Sequence, residues 1–231
     1  MIFQYFQKIS SLRLLILCFI FLSSCKLAYV PTSMHIPLHE EKGELISQVY
    51  FGNTGVGANS SFAATDNLAI MVGGHYLGDE LLTHYSLEGS IGYFEKNDNN
   101  VFFESYLGGG YGFSERLPDQ IHATGHYLGQ YNKIYIQPAI GLKPGNWETA
   151  LGLRTIYVSY NSFLTPPIHN FNRVFFEPTL SFKYGWDSFK FSLQGGASIP
   201  MGKLPSTLDF FPVFVSFNIS HYFSVSGAGK R

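Results

Sequence analysis

Residues 174–184 read Val-Phe-Phe-Glu-Pro-Thr-Leu-Ser-Phe-Lys-Tyr, and their order decides the fold. Val174, Phe176, Pro178, Leu180, Phe182 and Tyr184 fall on one side of an extended chain. Phe175, Glu177, Thr179, Ser181 and Lys183 fall on the other. A period of two is the signature of a strand with one apolar and one polar face. The next segment repeats it, with Phe189, Phe191, Leu193, Gly195, Ala197 and Ile199 set against Lys190, Ser192, Gln194, Gly196 and Ser198. So does the last, with Val213, Val215, Phe217 and Ile219 against Ser216, Asn218 and Ser220.

Outward from there the same pattern predicts strands at about 44–52, 56–64, 67–77, 84–94, 101–113, 130–142, 147–158, 173–184, 188–199 and 210–223. Ten is an even count, as single-chain bacterial membrane barrels have. The connections alternate in length. Thr65-Asp66-Asn67, Lys96 to Asn100, Lys143-Pro144-Gly145-Asn146 and Gly185-Trp186-Asp187 are short and made of turn residues. Residues 78–83, 114–129, 159–172 and 200–209 are longer, and only the hairpin at Thr54-Gly55 is tight on that side. Outer-membrane barrels have short periplasmic turns and longer external loops. A sandwich has no reason to sort its loops in this way.

Composition points the same way. Charged residues are 13% and aromatics 17%, where soluble domains carry about 25% charged residues. The net charge is −1, which gives no electrostatic footprint for nucleic acid. After residue 25 no apolar run approaches the ~20 residues of a membrane helix. A chain that spans a bilayer without helices must close into a barrel, which satisfies every backbone group internally.

The N-terminus reads as an export signal. Lys8 and Arg13 precede an apolar run from Leu14 to Leu22, then Ser23, Ser24 and Cys25. Leu22-Ser23-Ser24-Cys25 resembles the lipobox of bacterial lipoproteins, which implies cleavage before Cys25 and acylation of it by palmitate-type chains. The predicted division is a signal peptide at 1–24, a lipidated tether at 25–43, a barrel at 44–223 and a tail at 224–231. With the N-terminus held on the periplasmic side by its lipid, the short turns are expected on that side too. Cys18 lies in the signal, so no disulfide framework and no cysteine zinc site remain.

The chain resembles small outer-membrane β-barrel lipoproteins of Gram-negative bacteria whose role is unassigned. The residues carrying the likeness are Leu22 to Cys25, Tyr29-Val30-Pro31, Ile36-Pro37-Leu38, Glu41-Lys42-Gly43-Glu44 and Ala64-Thr65-Asp66-Asn67. The resemblance implies an outer-membrane location, a barrel fold, membrane lipid and the barrel assembly machinery as partners, and no particular activity. Such barrels often end on an aromatic residue. Here Tyr222-Phe223 is followed by Ser224 to Arg231.

Candidate functional residues fall into three groups besides Cys25. Glu88, Glu104, Lys133, Glu148, Arg154, Glu177, Lys183 and Lys190 are phased inward and are expected to form a lumen charge network, because buried charges must pair. Tyr93, Trp147, Trp186 and Phe223 are expected at the periplasmic interface, where aromatic rings concentrate. His84 and Ser86 share a strand face and are similar to the His-x-Ser of lipid A deacylases, but their phase puts them inside. His122 and His126 are four apart in the longest loop, a metal spacing only on a helix. Gly108-Gly109-Gly110 lacks the Lys-Ser/Thr of a phosphate loop and reads as strand glycine. No catalytic set, metal site or cofactor is expected. The preferred reading is a lipid-anchored outer-membrane barrel with a structural or surface-interaction role. Its alternatives are a narrow solute channel, a lipid A deacylase-like hydrolase and a soluble periplasmic lipocalin-like carrier.

Overall fold

In a computed structural model the described residues are 27–80, 82–97, 99–117, 126–162, 170–202 and 209–224. The strands are β1 (Leu27–Tyr29), β2 (Glu44–Gly52), β3 (Gly55–Ala63), β4 (Leu68–Gly78), β5 (Leu82–Lys96), β6 (Val101–Arg116) and β7 (Tyr127–Leu142). They continue as β8 (Trp147–Ser162), β9 (Phe171–Gly185), β10 (Phe189–Ala197), β11 (Ile199–Pro200), β12 (Asp209–Phe210) and β13 (Val213–Ser224). Ten of them, β2 to β10 and β13, pair antiparallel with their neighbours. The ring closes because β13 pairs with both β10 and β2. The fold is therefore a closed, ten-stranded, up-and-down antiparallel barrel, with β11 extending the β10 edge along β9.

The turns follow from their residues. Thr65 Oγ1 accepts the N–H groups of Asn67 and Leu68, which closes the β3–β4 turn with a side chain. Gly145 adopts φ 63° between β7 and β8. At the tight β2–β3 hairpin Gly55 has φ 124°, and a Cβ there would stand 2.3 Å from the Tyr76 carbonyl oxygen. Glycine is required at that point on both counts.

The barrel is turned inside out relative to a soluble one. Leu87 and Leu107 are each 65% exposed on the outer wall, as are Ile134, Leu151, Leu180 and Leu193 to a lesser degree. Inside, Gln48, Asn59, Glu104, Lys133, Arg154, Glu177, Lys183 and Asn218 are buried. Inward glycines leave room for rings from neighbouring strands. A Cβ on Gly57, Gly92, Gly108 or Gly112 would strike Tyr50, Tyr106, Tyr135 or Tyr131.

The expected tether is packed inside this wall. Every residue from Tyr29 to His39 is buried. The segment enters at the long-loop rim, where β1 pairs in parallel with β12 in the β11–β13 connection. Tyr29 packs edge-on to Tyr131 and tilted against Phe175 near that rim. Leu38 and His39 reach Glu104 and Phe94 near the other. Glu40 then meets Lys96 and Lys143 at the short-turn rim, and Gly43, at φ 87°, reverses the chain into β2. An extended chain buried on all sides shows no two-residue alternation, so these residues read from sequence as a tether. Leu27, where the described residues begin, lies at the long-loop rim and not on the side of the short turns.

Candidate functional site

The lumen and its plug form the candidate site. The plug is extended, so its backbone groups find no partners within it, and buried groups of that kind are costly unless bonded. Inward side chains supply the bonds. Arg154 Nη2 donates to the Thr32 carbonyl at 2.9 Å, Gln194 Nε2 to Met34 at 2.8 Å, Gln137 Nε2 to His35 at 2.8 Å and Lys183 Nζ to Ile36 at 2.6 Å. Glu104 Oε2 accepts the Leu38 N–H at 2.9 Å. Side chains complete the fit. His35 lies 3.3 Å from Gln48 Oε1 and 3.1 Å from Ser61 Oγ, and Ser33 Oγ lies 2.7 Å from Gln194 Oε1.

The apolar half of the plug fits a recess in the wall. Met34, Ile36 and Leu38 pack with Phe102, Ala139 and Ala150. Gly141 and Gly152 face the same space. A Cβ on them would come within 2.5 Å of Leu38 Cδ1 and Met34 Sδ respectively. Leu38 itself holds φ 53°, a conformation unusual for a bulky residue. Its backbone bond to Glu104 and its packing fix it there.

All eight residues of the expected charge network lie inside the barrel, and seven of them form two groups. Nearer the middle, Arg154 Nε and Nη2 lie 3.1 and 2.9 Å from Glu177 Oε2, and its Nη1 is 3.6 Å from Glu88, which also pairs with Lys133. Ser198 Oγ donates to the other Glu177 oxygen at 3.0 Å. Toward the short turns, Glu148 pairs with Lys190 and lies 3.3 Å from Lys183 and 3.6 Å from Lys143. Tyr222 donates to Glu148 at 2.9 Å. Glu104 departs from expectation. It makes no ion pair among the described residues; its Oε2 accepts the Leu38 backbone N–H.

Ion pairs hold the end of the plug at the short-turn mouth. Glu40 meets Lys96 Nζ at 2.7 Å and Lys143 Nζ at 3.2 Å. Partial burial favours its neutral form, yet Lys143 and Lys96 hold the Glu40 carboxyl below its ordinary value. A depressed carboxyl adds stability above its unfolded value and loses it as pH falls through the folded one. Carbon NMR of labelled protein in micelles should therefore give Glu40 a midpoint below the ordinary glutamate value. A midpoint at or above that value would show that these pairs do not hold the Glu40 carboxylate.

Tyr93, Trp147, Trp186 and Phe223 all project outward near the short-turn rim, and Trp147 packs on Tyr184 at 4.5 Å. His84 faces inward and is fully buried, with Nδ1 2.7 Å from Ser114 Oγ. Ser86 is buried as well. Sequence reasoning missed the partners of His84. Tyr131 stacks on it, and His75 meets it edge-on while Tyr50 lies 3.0 Å from His75 Nδ1. The inward phase of His75 and Tyr50, two and four residues from other lumen positions, was the available signal. Gly108 to Gly110 lie in β6 and pair on both sides, so they form no loop. His126 lies 2.9 Å from Glu115. Cys25, His122 and the tail from residue 225 lie outside the described residues. Among the described residues no cluster of three metal-ligating side chains occurs.

No family model and no curated protein matches the chain. Three solved structures align with it at low similarity. The outer-membrane protease OmpT from Escherichia coli aligns at a TM-score of 0.49 and 8% identity, over 80% of this chain and 94% of its own. The translocator domain of the autotransporter NalP from Neisseria meningitidis gives 0.48 and 11%, over 80% and 89%. The N-terminal barrel of OprF from Pseudomonas aeruginosa gives 0.35 and 7%, over 79% and 99%. The fold assignment rests on this chain's own strand pairing.

Proposed function

We propose that this chain is an outer-membrane β-barrel, further anchored by acyl chains on Cys25, whose role is structural or surface-interacting. The observation that carries the reading is the inverted wall: apolar residues face out all round, while charged and amide side chains face a filled interior. A predominantly apolar exterior of this kind has lipid as its natural solvent. It also counts against a soluble lipocalin-like carrier, which needs its apolar face inside. Membrane lipid is the constant partner, the barrel assembly machinery the transient one, and the long loops the surface for any further contact.

The plug argues against the channel alternative, since it fills the lumen from Tyr29 to His39 and bonds to both ion-pair groups. The lipid A deacylase-like alternative loses its site. His84 is sealed inside the wall and bonds to Ser114, where no acyl chain in the bilayer reaches it. Purified full-length protein in planar bilayers should insert without steady conductance and should leave labelled lipid A intact. Discrete, stable current steps from the intact chain would reinstate the channel, and acyl release lost in His84→Ala would reinstate the enzyme.

A further inference from the structure

The path of the plug places the start of the chain. It runs from β1, at the long-loop rim, to Glu40, at the short-turn rim. That is eleven residues beyond Tyr29, about 35 Å of extended chain, which matches the ~30 Å hydrocarbon thickness of a bilayer. Only Lys26 separates Leu27 from Cys25. Two residues of chain span at most about 7 Å, well short of the ~30 Å between the two sides of a bilayer.

We infer that the acyl anchor on Cys25 occupies the leaflet on the long-loop side, so that the chain start is displayed at the outer surface. This rests on the membrane-barrel reading above, and on short turns marking the periplasmic side. The polypeptide thus crosses the membrane once more than its strands do, through its own lumen. Two features hold it there. Four plug carbonyls are bonded by inward side chains. The recess formed by Ala139, Gly141, Ala150 and Gly152 is occupied by Met34, Ile36 and Leu38. A filled lumen passes no acyl chain. The thread must therefore be laid before β13 pairs with β2 and closes the ring.

Single-cysteine labelling of intact cells tests this, with a membrane-impermeant maleimide and the full chain. The acylated Cys25 thiol is a thioether and does not react. Met201→Cys reports the long-loop side and Asp187→Cys the short turns; both residues are exposed. Lys26→Cys should label on intact cells as Met201→Cys does, while Asp187→Cys should label only after the outer membrane is permeabilised. If Lys26→Cys instead follows Asp187→Cys, the placement is overturned and the membrane barrel stands. If Met201→Cys and Asp187→Cys behave alike, the barrel does not cross the membrane and both readings fall. An intact mass without lipid on Cys25 removes the anchor and overturns the inference. Where Lys26→Cys does not fold, an acidic epitope inserted between Lys26 and Leu27 takes its place. Antibody binding to that epitope on intact cells is expected, and binding only after permeabilisation overturns the placement.

Discussion

Arg154→Ala is expected to destabilise the barrel by about 3–5 kcal/mol, the usual cost of removing one partner from a buried ion pair. Arg154 is 1% exposed and joins three elements: Glu177 on β9, Glu88 on β5 and the Thr32 carbonyl on the plug. Its loss leaves two carboxylates facing each other's field with only Lys133 and Ser198 for compensation. Arg154→Lys should fall between, because an ammonium cannot present the planar fork that reaches Glu177 and Thr32 together. Arg154→Met combined with Glu177→Gln should recover part of the loss, since the unpaired charge disappears with its partner. Heat-modifiable gel migration and tryptophan fluorescence in urea, with the protein in lipid vesicles, measure all three. An Arg154→Ala barrel that unfolds with the full-length protein would mean that water, and not the plug, solvates these carboxylates.

The wall of this barrel was legible in the sequence because each strand has one solvent on each face. Glu177 and Lys183 alternate with Phe176, Leu180 and Phe182, so a single segment gives both the strand and its phase. The predicted strands match the observed ones to within a few residues, and the long-loop ends extend furthest beyond expectation, as in β8 to Ser162. The plug was not legible by the same means. Tyr29 to His39 meets protein on every side, which removes the alternation that betrays a strand. Its two prolines, Pro31 and Pro37, read as linker chemistry, although an extended chain bonded through its carbonyls tolerates proline well. A signal was nevertheless present in the wall. Ala139, Gly141, Ala150 and Gly152 all face inward on β7 and β8. A ten-stranded barrel can be filled by its own side chains only where those side chains are large. Four small residues in one patch mark a place where something else must pack. Likewise Glu104 has no ion-pair partner among the described residues and accepts the Leu38 N–H instead, which makes sense only once the plug backbone is beside it.

The largest functional effect should come from removing the plug. A chain that keeps Cys25 and Lys26 but lacks residues 27–39, so that Lys26 joins Glu40, is expected to form a conducting barrel in planar bilayers. The wall does not depend on the plug for its backbone bonds, because all ten strands pair with one another around the closed ring. Its lining is already polar, with Arg154, Lys183, Gln137, Gln194, Glu104 and Asn218 left to be hydrated in place of the plug carbonyls. The stability change is smaller than the buried area suggests. Burying Tyr29, Val30, Met34, Ile36 and Leu38 contributes on the order of 1.5–3 kcal/mol each. Fixing the backbone of the plug costs roughly 1–2 kcal/mol per residue, which offsets much of that gain. The deletion should therefore fold, shown by retained heat-modifiable migration, and conduct in discrete steps that the full-length chain does not produce. A synthetic peptide spanning residues 27–40 should block the current, with less effect when Met34 and Ile36 are replaced by aspartate. Carboxylates there would stand in the apolar recess beside Ala139 and Ala150, unpaired and desolvated. A deletion barrel that folds yet stays silent would show that the lumen is closed by its own wall, and that the plug serves only to carry the chain start across the membrane.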